Sequence, residues 1–345
     1  MTPPATPVTI EEVANLAQVS SKTVSRVINN EPLVRPDTRQ RVLEAIEQLN
    51  YRPNLNARGL AGNRSFLIGL FCDRPGDYLS EFQASAMDRC RESSMHLMVE
   101  TVNVREPDVD KQMETLLGQL KLEGVILLPP LSDHAGVLGK LQDAAIPVVR
   151  ISPAKNLSAS PSIGIDDYTA SRQLTRHLLG LGHRRIGFML GRADHGSTEQ
   201  RYLGFIDEMR AHAAPVDMNL VQTGNFIFSD GLVCAERMLR ATTRPTAIFA
   251  SNDDMAAAAV SMARKCGLGL PGQLSITGFD DAPVATMIWP ELTTVRQPVA
   301  AMARIAAELI IQHEPRRRGW PEPVPRHLLE HELIIRSSTA RLPKD

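Results

Sequence analysis

Two apolar patterns follow one another along the chain. Over the first fifty residues, apolar positions recur at helical spacing in three short runs. Thr9-Ile10-Glu11-Glu12 has the form S/T-x-x-E, in which hydroxyl and carboxylate satisfy the exposed amides of a helix start, and Ile10, Val13, Ala14 and Ala17 make the inner face of the helix that begins there. Val19-Ser20 breaks this run, Ser20 suits the N-cap of a second helix, and Val24, Val27 and Ile28 share that helix's apolar side. A third helix follows Pro36-Asp37, with Val42, Ile46 and Leu49 on one face and Asn50-Tyr51-Arg52-Pro53 ending it. Three short helices around one small core, the first two joined by a turn that forces a steep crossing, predict a helix-turn-helix unit.

From Phe66 onward the period changes. "FLIGLFC", "GVILL", "IPVVRI", "RRIGFML", "TAIFAS" and "LSITGF" are short β-rich runs, most of them followed by a helix-like stretch. Strands alternating with helices predict βαβ units, hence an α/β fold with parallel sheets covered on both faces, and the length suffices for two such lobes. Neither G-x-G-x-x-G after a strand nor G-x-x-x-x-G-K-[ST] occurs, so no motif supports dinucleotide or nucleotide binding.

Composition narrows the class. The 345 residues, 43% hydrophobic and 22% charged with net charge -1, fit a multidomain globular protein. No apolar run is long enough for a membrane span, and Met1 to Pro7 is no signal peptide, so a cytoplasmic location is expected. Cys72, Cys90, Cys234 and Cys266 stand far apart, without the spacing of a metal site or disulfide framework; no metal and no cofactor is expected. Residues 1–64 hold eight Lys/Arg against six Asp/Glu, whereas the remainder holds 30 against 33, a small bias that favours an anionic partner for the N-terminal segment.

The second helix sharpens that hint. Opposite its apolar side it carries Ser21, Lys22, Ser25 and Arg26, hydroxyls and cations with no acid among them. Such a face suits a DNA major groove, where Lys and Arg read guanine O6 and N7 and hydroxyls bond phosphates or base edges. Taken alone, it fits a solvated surface equally well.

The stretches "TIEEVANLAQVSSKTVSRVINN", "VRPDTRQRVLEAIEQLNYRPN" and "NARGLAGNRS" together resemble the LacI/GalR (lactose repressor/galactose repressor) family of bacterial transcription regulators. The resemblance continues through "GLGHRRIGF", "STEQRYLGF", "ASNDDMAAAAV", "SITGFDD", "PELTTVRQP" and "ELIIRSST", and so covers nearly the whole chain. It implies a helix-turn-helix domain over 1–53, a hinge helix over 54–64 and a two-lobed effector-binding and dimerisation domain over 65–340, similar to periplasmic sugar-binding proteins. It also implies that Ser21, Lys22 and Arg26 read bases, that Thr23, Ser25 and Asn29 face phosphates, and that Leu60 wedges into the minor groove of a palindromic operator. The hinge sequence agrees: Gly59 and Gly62 each cost roughly 1 kcal/mol in a helix, so this segment needs a partner to fold. Two positions depart from the family pattern, Gln18 where the turn often has Gly, and Arg35 where a Ser usually caps the third helix.

For the effector, the resemblance implies Arg201 with Ser197 beside it, Asn252, Asp280, Gln297 and the aromatic Phe228. A guanidinium, a carboxylate and amides for vicinal hydroxyls, with an aromatic face against the ring, are what a sugar needs. Arg150 stands where the family's type member has an acid, and Asp73-Arg74, near Tyr78, follow the first strand. Arg150 either favours an acidic or larger ligand or pairs locally with Asp73. His183 reads as structural, and no nucleophile, base and orienting acid come together, so the chain is not expected to be an enzyme.

The expectation is therefore a homodimeric repressor of carbohydrate-use genes, bound to double-stranded operator DNA and released by a sugar. Its rivals are a regulator responding to a purine or acidic metabolite, and a cytoplasmic sugar-binding protein with no genetic role. No leucine heptad follows "SSTARLPKD", so a tetramerising coil is not expected.

Overall fold

A computed structural model describes residues 8–28, 33–51, 65–314 and 319–342. They fall into two compact units that part between Phe66 and Leu67. In the first unit, α1 (Ile10–Ala17), α2 (Ser21–Ile28) and α3 (Pro36–Gln48) enclose a core of Val13, Ala14, Ala17, Val24, Val27, Val42, Ala45 and Tyr51. The capping box forms as the sequence predicts, the Thr9 amide donating to Glu12 Oε2 at 2.7 Å and the Glu12 amide to Thr9 Oγ1 at 3.3 Å. Ser20 caps α2, its Oγ accepting the Thr23 amide at 3.2 Å. Gln18 ends α1 with φ 53 and ψ 48, the left-handed conformation that explains a glycine at this turn, and Arg35 precedes α3 without a side-chain cap.

The second unit is built from two parallel sheets. The first lobe orders six strands as β11-β5-β4-β3-β1-β2, from β1 (Leu67–Cys72), β2 (His96–Thr101), β3 (Gly124–Leu127), β4 (Val148–Ile151), β5 (Ser162–Ile165) and β11 (Arg326–Leu329), every pair parallel. Its helices include α4 (Asp77–Glu92), α5 (Val109–Gln119), α6 (Ala135–Asp143) and α12 (Val299–Gln312). The second lobe orders β7 (Val221–Thr223), β6 (Ile186–Leu190), β8 (Ala247–Ala250) and β9 (Ser275–Thr277) as β7-β6-β8-β9, also parallel, with α7 (Asp167–Gly180), α8 (Gly196–Ala211), α9 (Phe228–Leu239) and α10 (Asp253–Lys265) around it. A short α11 (Val284–Met287) follows β9, and β10 (Thr294–Arg296) pairs antiparallel with β12 (Glu332–Ile334).

The six runs picked out by composition all contain strands, namely β1, β3, β4, β6, β8 and β9. Near-continuous apolar character marks strands buried on both faces, and β1, β3 and β4 are buried almost throughout. The chain passes between lobes three times, from β5 into α7, from β10 into α12, and from β11 into β12. Separate cores fill the lobes, one around Phe71, Met113, Leu127 and Leu141, others around Phe188, Phe205 and Phe249 and around Met189, Met238 and Ile276. No helix among the described residues is long and apolar enough to cross a membrane.

Candidate operator-reading face and effector cleft

In the first unit, burying Val24 and Val27 turns the other side of α2 outward. Lys22 and Arg26 are exposed, and Ser21, Thr23 and Ser25 are half-buried beside them. Thr23 Oγ1 also lies 3.0 Å from Ser20 Oγ, so the cap orders the first turn of that face. Asn29 and Leu60 lie outside the described residues, as does the expected hinge over 54–64.

In the second unit, strand ends from both sheets meet around a cleft of about 870 Å³, open side included. Open α/β sheets bind ligands at such carboxyl ends. Six of the eight expected effector residues line it: Asp73, Ser197, Arg201, Asn252, Asp280 and Gln297. Arg201, on α8, is almost fully buried and is fixed by its neighbours. Its Nε donates to Asp167 Oδ1 at 2.7 Å, its Nη1 to the Ser251 carbonyl at 2.5 Å, its guanidinium stacks 3.6 Å from the Phe279 ring centre, and Nη2 lies 3.7 Å from Asp280 Oδ1. Gln297 Nε2 donates to the same Asp280 oxygen at 2.7 Å. Asn252 caps α10 through Oδ1, which accepts the Met255 amide at 3.1 Å, and its Nδ2 donates to the Phe226 carbonyl at 3.2 Å.

Asp280 holds a left-handed backbone at φ 110, an unusual position for a residue with a side chain. Burial pushes its carboxyl up to about 6, against the pull of Arg201 and the Gln297 hydrogen bond. Neighbouring Asp253 is raised well above the ordinary range by burial and is wholly engaged, accepting from Thr294 Oγ1 at 2.7 Å and the Ala282 amide at 2.8 Å, so it braces the loop that presents Asp280. His195, also lining the cleft, is pushed down to about 3 by burial and then by the Arg192 charge, which keeps it neutral near pH 7.

Two expectations need correction. Arg150 does not line the cleft. It is fully buried, donating to Ser160 Oγ at 2.9 Å and to the carbonyls of Lys155 (2.9 Å), Asn156 (2.5 Å) and Ser132 (3.3 Å), and its nearest carboxylate is Asp133 at 3.8 Å rather than Asp73. It is the internal tie of the loop after β4. Phe228 is the first residue of α9, is 44% exposed and does not line the cleft. The aromatic residue in the cleft is Phe226. Asn225 and Phe226 take φ 54 and 59, and the ring packs so closely on Gly191 that a Cβ there would stand 1.9 Å from Phe226 Cζ.

The cleft also holds Arg192 and His195, which the sequence does not single out, together with Arg74 of the loop after β1 and Tyr78 at the start of α4. Arg192 pairs with Asp73 and, through Nε at 2.9 Å and Nη2 at 2.6 Å, with Asp194. His183 is buried in the second lobe, hydrogen-bonded to Thr246 and Ser275, which is a structural role. Among the described residues no group of three or more His, Cys, Asp or Glu is placed to hold a metal.

Known proteins fit both halves of this description. Residues 9–54 match the model of the bacterial regulatory proteins of the lacI family, and residues 175–339 that of the periplasmic binding protein-like domain. The chain is 33% identical over 337 residues to the HTH-type transcriptional regulator DegA of Bacillus subtilis (strain 168), covering 97% of this chain and 98% of that protein. A solved lac repressor dimer bound to operator and the anti-inducer ONPF superimposes with TM-score 0.79 at 26% identity, over 97% of this chain and 100% of that one. The complex of the transcriptional regulator CelR with cellobiose does so with TM-score 0.72 at 28% identity, over 96% and 99%.

Proposed function

We infer that this chain, which belongs to the lacI family of bacterial regulatory proteins and is a ligand-responsive DNA-binding transcription regulator, represses genes of carbohydrate use and leaves its operator when a sugar occupies the cleft. The observation that carries the reading is the polar set of Asp280, Gln297 and Asn252 at the strand ends with Arg201 of α8, beside the Phe226 ring. A carboxylate held by a guanidinium and an amide offers acceptors to ring hydroxyls, and the aromatic face suits the apolar side of a pyranose. The likeness to a regulator solved with cellobiose supports the same ligand class.

Charge speaks against an acidic effector. With Arg150 buried elsewhere, the cleft guanidiniums are Arg74, Arg192 and Arg201, facing Asp73, Asp77, Asp254 and Asp280. Arg192 and Arg201 are already matched by aspartates, so no surplus positive charge awaits an anion. Operator binding belongs to α2, with Ser21, Lys22 and Arg26 on bases and Thr23, Ser25 and Asn29 on phosphates, in a cytoplasmic homodimer whose symmetry matches a palindrome. A domain boundary near residue 53 and a hinge over 54–64 carrying Leu60 belong to the same reading.

Calorimetric titration with a panel of neutral mono- and disaccharides, the corresponding sugar acids and purines tests the ligand class. A neutral sugar should bind, and Asp280→Ala should weaken it at least a hundredfold, the loss expected when hydrogen bonds to a charged group disappear. Binding confined to sugar acids or purines would overturn the sugar reading.

A further inference from the structure

The two lobes touch across the cleft through consecutive residues of a single loop. Asp73 and Arg74 follow β1 in the first lobe. Asp73 forms an ion pair with Arg192, which follows β6 in the second lobe, and both side chains are nearly buried, 9% and 4% exposed. Arg74 Nη2 reaches over to the second lobe and donates to the backbone carbonyls of Asn225 at 3.2 Å and Phe226 at 3.0 Å. Those carbonyls face Arg74 because two successive residues adopt left-handed φ angles, and the turn is held by Asn225 Nδ2 donating to Asp230 Oδ2 at 2.7 Å. The geometry points to a clasp: Asp73-Arg74 hold the effector lobes closed through protein groups alone, so that the closed state is populated before any effector arrives.

Parting the lobes changes the surroundings of each charge. In the closed form every member has a partner, Asp73 with Arg192, Arg192 also with Asp194, and Arg74 with two carbonyls. Burial and then the neighbouring Arg192 disfavour the charged form of Arg74, and the charges of Asp73 and Asp254 offset only part of that cost. A matched buried pair contributes little net stability, but removing one partner strands the other in a dry site. Opening rehydrates the stranded group, so single substitutions should shift the balance toward the open form. The shift should be uneven. Arg192→Gln leaves Asp73 buried without its partner, whereas Asp73→Asn leaves Arg192 still bound to Asp194.

The clasp is independent of which effector binds, and its test uses none, so its failure and the failure of the sugar reading are distinguishable. Spin labels are placed on the full chain at Glu81→Cys in α4 and Ser229→Cys in α9, exposed positions in opposite lobes, with the exposed Cys266 replaced by Ser. Labelled chain is diluted with excess unlabelled chain so that only distances within one protomer are read by pulsed dipolar spectroscopy. The unsubstituted clasp should give mainly one short distance. Arg74→Gln, which removes charge-assisted hydrogen bonds to two carbonyls, should raise the longer-distance population at least about tenfold, and Arg192→Gln should raise it more than Asp73→Asn. Should Arg192→Gln not fold, the other two variants decide. A mainly open distribution with the clasp intact, or unchanged distributions in the folded variants, would overturn the proposal.

Discussion

At the scale of single residues, backbone conformation explains what side-chain chemistry leaves obscure. Gln18 occupies a left-handed position at the end of α1, where a side chain costs roughly 1–2 kcal/mol. Gln18→Gly relieves that strain but adds freedom to the unfolded chain, so a net gain of about 0.5–1 kcal/mol is expected, measured by denaturant unfolding of the helix-turn-helix unit within the full protein. Asp280 carries a pH signature. Its carboxyl rises from the ordinary 3.8 to about 6 on folding, so the folded state binds the proton more tightly and stability falls as pH rises from 3.8 to about 6. Asp280→Asn removes that contribution; the difference in unfolding free energy between the two proteins should change across this window and level off above it. A difference flat from pH 4 to 7 would show that Asp280 titrates normally.

At the scale of elements, the sequence made most of the scaffold legible because buried parallel strands are apolar throughout and helix starts carry their own caps. The strands it missed are short or of mixed character: β2 ("HLMVET"), β7 and β11 are partly exposed, β10 and β12 form a short antiparallel pair, and β5 ("SIGI"), though buried, has only two large apolar residues. The site was legible where a residue sits at a strand end or helix start, as Asn252 does, and at Arg201 only through the stretch "STEQRYLGF" that carries the family resemblance. It was obscured where backbone geometry redirects a side chain, as in the turn that brings Phe226 rather than Phe228 into the cleft. Arg150 looked like a cleft residue because it lies on β4 near the strand's carboxyl end; only the loop folded back over it shows that its donors are already taken. The packing of Phe226 on Gly191 gives a direct check. Gly191→Ala needs the ring to move, so sugar affinity should fall at least tenfold while operator binding without sugar stays unchanged. Unchanged affinity would remove Phe226 from the ligand's surroundings.

At the scale of the whole molecule, the regulator must convert a change at the effector cleft into a change on DNA. A thousandfold loss of operator affinity requires about 4 kcal/mol of coupling, slightly above the usual allosteric range. On the proposed reading of 54–64 as a hinge, the helix-disfavouring Gly59 and Gly62 would make its folding depend on DNA, and loss of that folding would supply much of the coupling. Leu60→Ala should accordingly weaken operator binding strongly and leave sugar affinity intact; equal operator binding by the variant would refute the wedge. On the proposed reading, a sugar governs occupancy of a specific operator. Fluorescence anisotropy of the full protein on a duplex from its own promoter, at one fixed salt concentration and with and without a panel of neutral sugars, reads that control. Specific binding that one sugar relieves is the predicted result; specific binding that no sugar alters, or no specific binding at all, would contradict it.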